Sequence, residues 1–198
     1  MKNIINISKR MAVFAILFFI FECAGGCAGS IDSSALKQDI AKNPSKGHYI
    51  NDVPFIAQEE FFCGPASLAM VLNFYGITIT QEEIAKDIYK KKLKGALNID
   101  LLIYARQKGF QARYYSGSID DLKANISNNA PLILLLNLGY EIYPVYHYIV
   151  AAGFHDEKNF IIAHSGKERD KTFSYKELLK AWEKTSFGTL LITPFEKK

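Results

Sequence analysis

The sequence is poor in the features that announce most biochemical classes. It contains only 3 cysteines and 1 tryptophan, no internal repeat and no low-complexity stretch. No Gly-x-x-x-x-Gly-Lys-Ser/Thr loop is present, so the chain has no P-loop cradle for a nucleotide. The formal net charge is only +4, and Lys2, Lys9 and Arg10 against Glu22 account for half of it. The remainder is nearly balanced and forms no basic arm, so charge points to no nucleic-acid partner. The longest early apolar run, 11–21, is too short to cross a bilayer as a permanent helix, which needs about 20 residues. No motif calls for a metal or an organic cofactor.

What is present is a globular composition, 49% apolar and 22% charged over 198 residues, enough for one domain with a sizeable core. The N-terminus has a cationic start, the apolar run 11–21 and small residues after it, the layout of a signal peptide. Ala24-Gly25-Gly26-Cys27 resembles a bacterial lipoprotein lipobox, which implies lipid on Cys27 and Cys27 as the first mature residue. The expected division is a signal peptide over 1–26, an anchor and tether over 27–47, and a single domain over 48–198. The implied location is the cell envelope: the periplasmic face of a membrane, the outer membrane included, or the cell surface. Once Cys23 is removed and Cys27 acylated, Cys63 is left without an intramolecular disulfide partner. An odd cysteine in an exported chain marks a reactive thiol.

Cys63 sits in the stretch around which the chain is organised, Gln58-Glu-Glu-Phe-Phe-Cys63-Gly-Pro-Ala-Ser67, which runs into the apolar segment 68–75. Pro65 suits a first helical turn and Gly76 a stop, so Cys63 is expected at a helix N-terminus. There the helix dipole and free N–H groups are expected to lower the thiol pKa. Gln58 is placed to donate to an oxyanion forming beside the sulfur.

Thr80 with Glu83 is a capping box for a second helix running to about 90, and the lysines over 90–94 read as a solvated helix end. Asn98 and Gly109 bracket a third helix over 99–108. A strand over 110–115 and a short helix from Ser118 to about 128 follow. Beyond Pro131 the chain reads as β: 132–138 buried on both faces, then 147–154 and 160–165 around the turn 155–159. Ser174 with Glu177 caps a last helix ending at Trp182, and 188–193 closes the sheet. Helices first and strands afterwards predict an α+β fold, a helical lobe carrying Cys63 packed on an antiparallel sheet lobe.

A nucleophilic thiol needs a base, and imidazole is the usual one. His147 opens an apolar strand and is the best placed of the 4 histidines; His48 reads as a loop residue and His155 as a turn residue. Gln58…Cys63-Gly-Pro-Ala-Ser, Pro131 before an apolar strand, and His147-Tyr-Ile-Val-Ala-Ala-Gly together resemble the peptidase C39 family and its stand-alone relatives. These are papain-like cysteine peptidases, and the best-known members cleave bacteriocin precursors after a double-glycine leader. The resemblance covers roughly 53–182. It implies Cys63 as nucleophile, His147 as general base and then acid, Gln58 and the Cys63 N–H as oxyanion donors, a thioester intermediate, and no cofactor.

The family's usual histidine-orienting Asp has no counterpart; Ala163-His164-Ser165-Gly166 stands there, which makes His164 the expected third member, ahead of Asp156 and Asp170. Gly64 and Tyr146 are the expected substrate contacts, the latter within the aromatic stretch 140–148, which either lines the cleft or packs on the sheet lobe. Three activities fit these residues. They are a lipid-anchored cysteine peptidase acting on an envelope peptide or protein, a peptide-binding lipoprotein with little or no catalysis, and a Cys–His acyltransferase that passes the acyl group to an amine.

Overall fold

A computed structural model describes residues 31–195. Helix α1 (Ser33–Lys42) is capped by the Asp32 carboxylate and leads through a 3-10 turn (Pro44–Lys46) to strand β1 (Gly47–Tyr49). Three helices follow: α2 (Cys63–Phe74), α3 (Gln81–Ile88) and α4 (Asn98–Gln107). Strand β2 (Phe110–Ser116) and helix α5 (Ile119–Ser127) come next. Strands β3 (Leu132–Asn137), β4 (Tyr146–His155), β5 (Phe160–Ser165) and β6 (Glu168–Ser174) then run in succession. Helix α6 (Tyr175–Trp182) and strand β7 (Gly188–Pro194) complete the domain. The fold is α+β as the sequence predicts, with all strand pairings antiparallel in the order β2-β7-β3-β4-β5-β6 and β1 added along the far half of β4.

The local signals act where the sequence places them. Thr80 and Ser174 each form the reciprocal capping box with Glu83 and Glu177. Gly76 and Gly109 end α2 and α4 with φ of +89° and +87°, a left-handed conformation that costs glycine nothing. Helix α2 is buried from Gly64 to Leu72, so it has no solvent stripe to orient it. Its position is set by packing alone, with the β4 residues Tyr148, Ile149 and Val150 in the same core cluster.

Two regions differ from the sequence reading. The tether expected up to 47 is instead largely helix α1 and β1, and the compact unit begins at Ile31. Leu36 and Ile40 bury against Ile162, and two polar clamps hold the helix down. Lys37 Nζ lies 2.6 Å from Asp170 Oδ2, and Asp39 Oδ2 lies 3.0 Å from Nε2 of His155. His155 is therefore a buried partner of α1 and not a turn residue. Strand β6 was also not expected, because Glu-Arg-Asp-Lys is a poor strand sequence; pairing with β5 supplies what propensity does not. The proposed signal peptide and Cys27 lie outside the described residues. Among the described residues no helix is long and apolar enough to cross a membrane.

Asp170 is 7% exposed and also accepts from Tyr49 at 2.7 Å. Burial alone would raise its pKa, but the Lys37 and Tyr49 hydrogen bonds and the Lys37 charge outweigh it and hold the carboxyl below its ordinary 3.8. A carboxyl depressed in the fold stabilises above the unfolded pKa and loses that contribution as pH falls through the folded value. Asp170→Asn is expected to cost about 1–3 kcal/mol in urea unfolding at pH 7, with the difference from wild type shrinking below pH 3.8. An equal loss at all pH values would mean that packing, and not the carboxylate, holds α1.

Candidate active site

Cys63 is the first residue of α2 and a free thiol, partly buried. The N–H groups of Tyr148, Gly64 and Cys63 itself point at its sulfur. Burial pushes the thiol pKa up, and these three donors pull it back only in part, so the net shift is above the ordinary 9.0. The direction is opposite to the depressed pKa expected from the helix N-terminus: desolvation of the anion outweighs the N–H donors. Gly64 allows this close docking. A Cβ there would stand 3.2 Å from Ala96 Cβ and 3.4 Å from both Leu101 Cδ1 and Tyr148 Cδ2.

His147, the residue before Tyr148, lies at the mouth of β4, so the strand that supplies an N–H to the thiol also carries the candidate base. Its Nε2 is 3.0 Å from Ser165 Oγ. With the proton on Nε2 the ring donates to the Ser165 hydroxyl oxygen and Nδ1 is left as the base. Burial, and then the nearby Lys171 charge, lower the His147 pKa below 6.5. Both shifts favour the uncharged forms, thiol and imidazole.

His164 does not meet His147. Strand register pairs Ile149 with Ser165 and Val150 with His164, and side chains alternate faces along a strand. Ser165 therefore shares the face of Ile149 and His147, while His164 points the other way. Both its nitrogens are already engaged, Nε2 donating to Val53 O and Nδ1 accepting from the Asp170 N–H, each at 3.2 Å. The side chain that does meet His147 is that of Ser165, which the sequence reading passed over because a lone Ser on a strand carries no signal.

Gln58 joins the same cluster through Gly166. Its N–H donates to Gly166 O at 3.1 Å. A Cβ on Gly166 would stand 4.0 Å from both Gln58 Oε1 and His147 Cε1. A second residue missed from sequence is Gln81, the first of α3. Its buried carboxamide donates to Ala57 O and accepts from Glu59 N–H, both at 3.0 Å, gripping the two neighbours of Gln58. The stretch 140–146 does not pack on the sheet lobe: Tyr140, Ile142, Tyr143 and Tyr146 are exposed, and only Tyr148 is buried. Among the described residues no cluster of His, Cys, Asp or Glu is suited to hold a metal.

Gln81→Leu removes both hydrogen bonds, to Ala57 O and from Glu59 N–H, and is expected to cost about 1–3 kcal/mol in chemical unfolding. Gly166→Ala makes only ordinary contacts at 4.0 Å but must adopt φ +64°, so its cost is about 1–2 kcal/mol, from backbone strain and not from a clash. A much larger loss for Gly166→Ala would show that the cleft is tighter there than the structure has it.

Comparison with known proteins agrees with this geometry. A sequence segment of 75 residues is 31% identical to an uncharacterized protein of Methanothermobacter thermautotrophicus, covering 38% of this chain and 52% of that one. The chain thus spans about half the length of the curated relative that it matches. The fold is similar to that of a C39-like peptidase from Bacillus anthracis, with a TM-score of 0.61 and 18% identity over 77% of this chain and 100% of that one. It is also similar to Xylellain, a cysteine protease from Xylella fastidiosa, with a TM-score of 0.55 and 11% identity over 76% and 87% of the two chains. These structures share the papain-like arrangement of helices on an antiparallel sheet. Residues 50–190, a span that includes Gln58, Cys63, His147 and Ser165, match the model of the Peptidase_C39 like family, and the chain belongs to that family.

Proposed function

We propose that this protein is a cysteine peptidase that hydrolyses peptide bonds in an exported peptide or protein through a thioester on Cys63. The observation that carries the reading is the joint between α2 and β4: the Tyr148 N–H points at the Cys63 sulfur, and the next residue back is the partly buried His147, whose pKa is lowered by desolvation. As the sulfur attacks the substrate carbonyl, its proton passes to His147 Nδ1. The imidazolium then gives that proton to the departing amine as the C–N bond breaks. Water deprotonated by the same imidazole cleaves the thioester, releasing the acid and restoring the thiol. Gln58, held from behind by Gln81, supplies an amide N–H to the oxyanion. Export and a lipid on Cys27 belong to the same proposal and rest on the N-terminal sequence.

A second reading, peptide docking without cleavage, is favoured by one observation. Ser165 offers His147 a neutral hydroxyl, which stabilises an imidazolium less than a carboxylate does. Incubating the purified chain with a peptide mixture and reading new termini by mass spectrometry separates the two. Cleavage that vanishes in Cys63→Ala and in His147→Ala supports the peptidase. Peptides retained but uncut, equally by wild type and Cys63→Ala, would establish docking instead.

The pH dependence follows from the two shifts. Burial favours neutral imidazole, so the base becomes available at a pH below 6.5; burial favours the thiol, so the neutral pair persists to above 9.0. The rate of hydrolysis is expected to rise through a pKa below 6.5, stay level, and change again only above 9.0. Alkylation of Cys63 that is already fast and pH-independent at pH 5 would show a resting thiolate–imidazolium pair and refute the neutral one.

Ser165→Ala removes one hydrogen bond worth about 1 kcal/mol, so kcat is expected to fall by about five- to tenfold with little change in stability. Unchanged kcat would remove Ser165 from the site.

A further inference from the structure

A cavity of about 170 Å³ opens beside the nucleophile, lined by Ala96, Leu97, Asn98, Leu135, Tyr146 and Tyr148. Its position follows from Gly64, the residue after Cys63, which packs against Ala96 and Tyr148, while the Tyr148 N–H points at the sulfur. The buried Tyr148 forms a fixed wall, its hydroxyl donating to Ala96 O at 3.4 Å. Leu97 and Tyr146 form the rim, 44% and 60% exposed. Besides the two tyrosine hydroxyls the polar side chain in the lining is Asn98, and it already spends its carboxamide oxygen on the Ile99 N–H at 2.9 Å.

Beyond Tyr146 the loop between β3 and β4 continues the apolar surface with Tyr140, Ile142, Tyr143 and Val145 exposed. It is a held projection. Asn137 Oδ1 accepts from the N–H groups of Gly139 and Val145, and Lys184 Nζ donates to Gly139 O.

We propose that this cavity is the specificity pocket of the Cys63 site, and that it takes one branched apolar or aromatic side chain of the bound peptide within two residues of the attacked carbonyl. The proposal rests on the reading that peptides bind at Cys63. The pocket is large enough: a cavity of about 150 Å³ accommodates benzene. No charged group lines it, so a charged substrate side chain would enter without a partner and is excluded. A pair of glycines would leave Leu97, Leu135 and Tyr148 facing water and gain nothing from the pocket. The preferred substrate therefore carries a Leu-, Ile- or Phe-like residue near the cleaved bond in place of paired glycines.

The test is covalent capture of Cys63 by peptidyl chloromethyl ketones that carry Gly-Gly, Leu-Gly, Gly-Leu or Lys-Gly before the reactive carbon. Each rate is divided by the rate with iodoacetamide on the same protein. Leu in one of the two positions is expected to raise that ratio at least about tenfold over Gly-Gly, the scale on which hydrophobic pockets discriminate. Leu97→Asp adds a carboxylate at the rim, and because Leu97 is the N-cap of α4, Asp there suits the helix and the fold is kept. In this variant the Leu preference is expected to fall at least tenfold, with the Lys reagent gaining. Equal ratios for Leu and Gly-Gly in the wild type, or an unchanged Leu preference in Leu97→Asp, would overturn the pocket. The peptidase reading stands or falls separately, on cleavage lost in His147→Ala.

Discussion

Everything at the site depends on how closely the first turn of α2 docks on β4. That contact is possible because residue 64 has no side chain, with Ala96, Leu101 and Tyr148 all near 3.4 Å from where a Cβ would stand. One strand then delivers two groups from adjacent positions: the Tyr148 N–H to the sulfur and the His147 ring at the strand mouth. A helix buried along its length cannot shift without disturbing the core that Leu68, Met70 and Leu72 help to build. The placement of the thiol is therefore a property of the hydrophobic core, not of a loop.

Burial has an electrostatic consequence. The same packing that fixes Cys63 and His147 also desolvates them, raising the thiol pKa and lowering that of the imidazole, so both are pushed towards their uncharged forms. A site of this kind separates charge during the reaction and not before it, which places more weight on the groups that orient the imidazole and receive the oxyanion. In the proposed mechanism those groups are neutral: the Ser165 hydroxyl and the Gln58 amide. Each is held by a neighbour, Gln58 by the Gln81 carboxamide and Ser165 by its place on β5.

The opposite face of β5 has a different task. His164 ties Val53 to Asp170 on β6, and Asp170 in turn holds Lys37 and Tyr49. A chain of polar contacts thus links α1 to the strand that carries Ser165. Because Ser165 and His164 are consecutive, one residue of register separates the group facing His147 from the group anchoring the N-terminal helix.

Much of this was legible in the sequence, for reasons that are local. Capping boxes at Thr80 and Ser174, stops at Gly76 and Gly109, and the apolar run of β3 act within a few residues of themselves, and all appear where the sequence places them. Cys63, Gln58 and His147 were legible because a Cys-Gly-Pro helix start and a histidine opening an apolar strand are chemical patterns as much as structural ones. Partnership across the fold was not legible. The choice of Ser165 over His164 depends on strand parity, the clamp of Gln81 on residues 57 and 59 spans more than twenty positions, and α1 is ordered by Ile162, His155 and Asp170, residues more than a hundred positions away. The pKa of Cys63 belongs to the same class, because desolvation is set by what packs around a group and not by what adjoins it in the chain. The sequence by itself determined most of the elements and the candidate nucleophile; the tertiary structure ordered α1 and β6 and decided which side chain faces which.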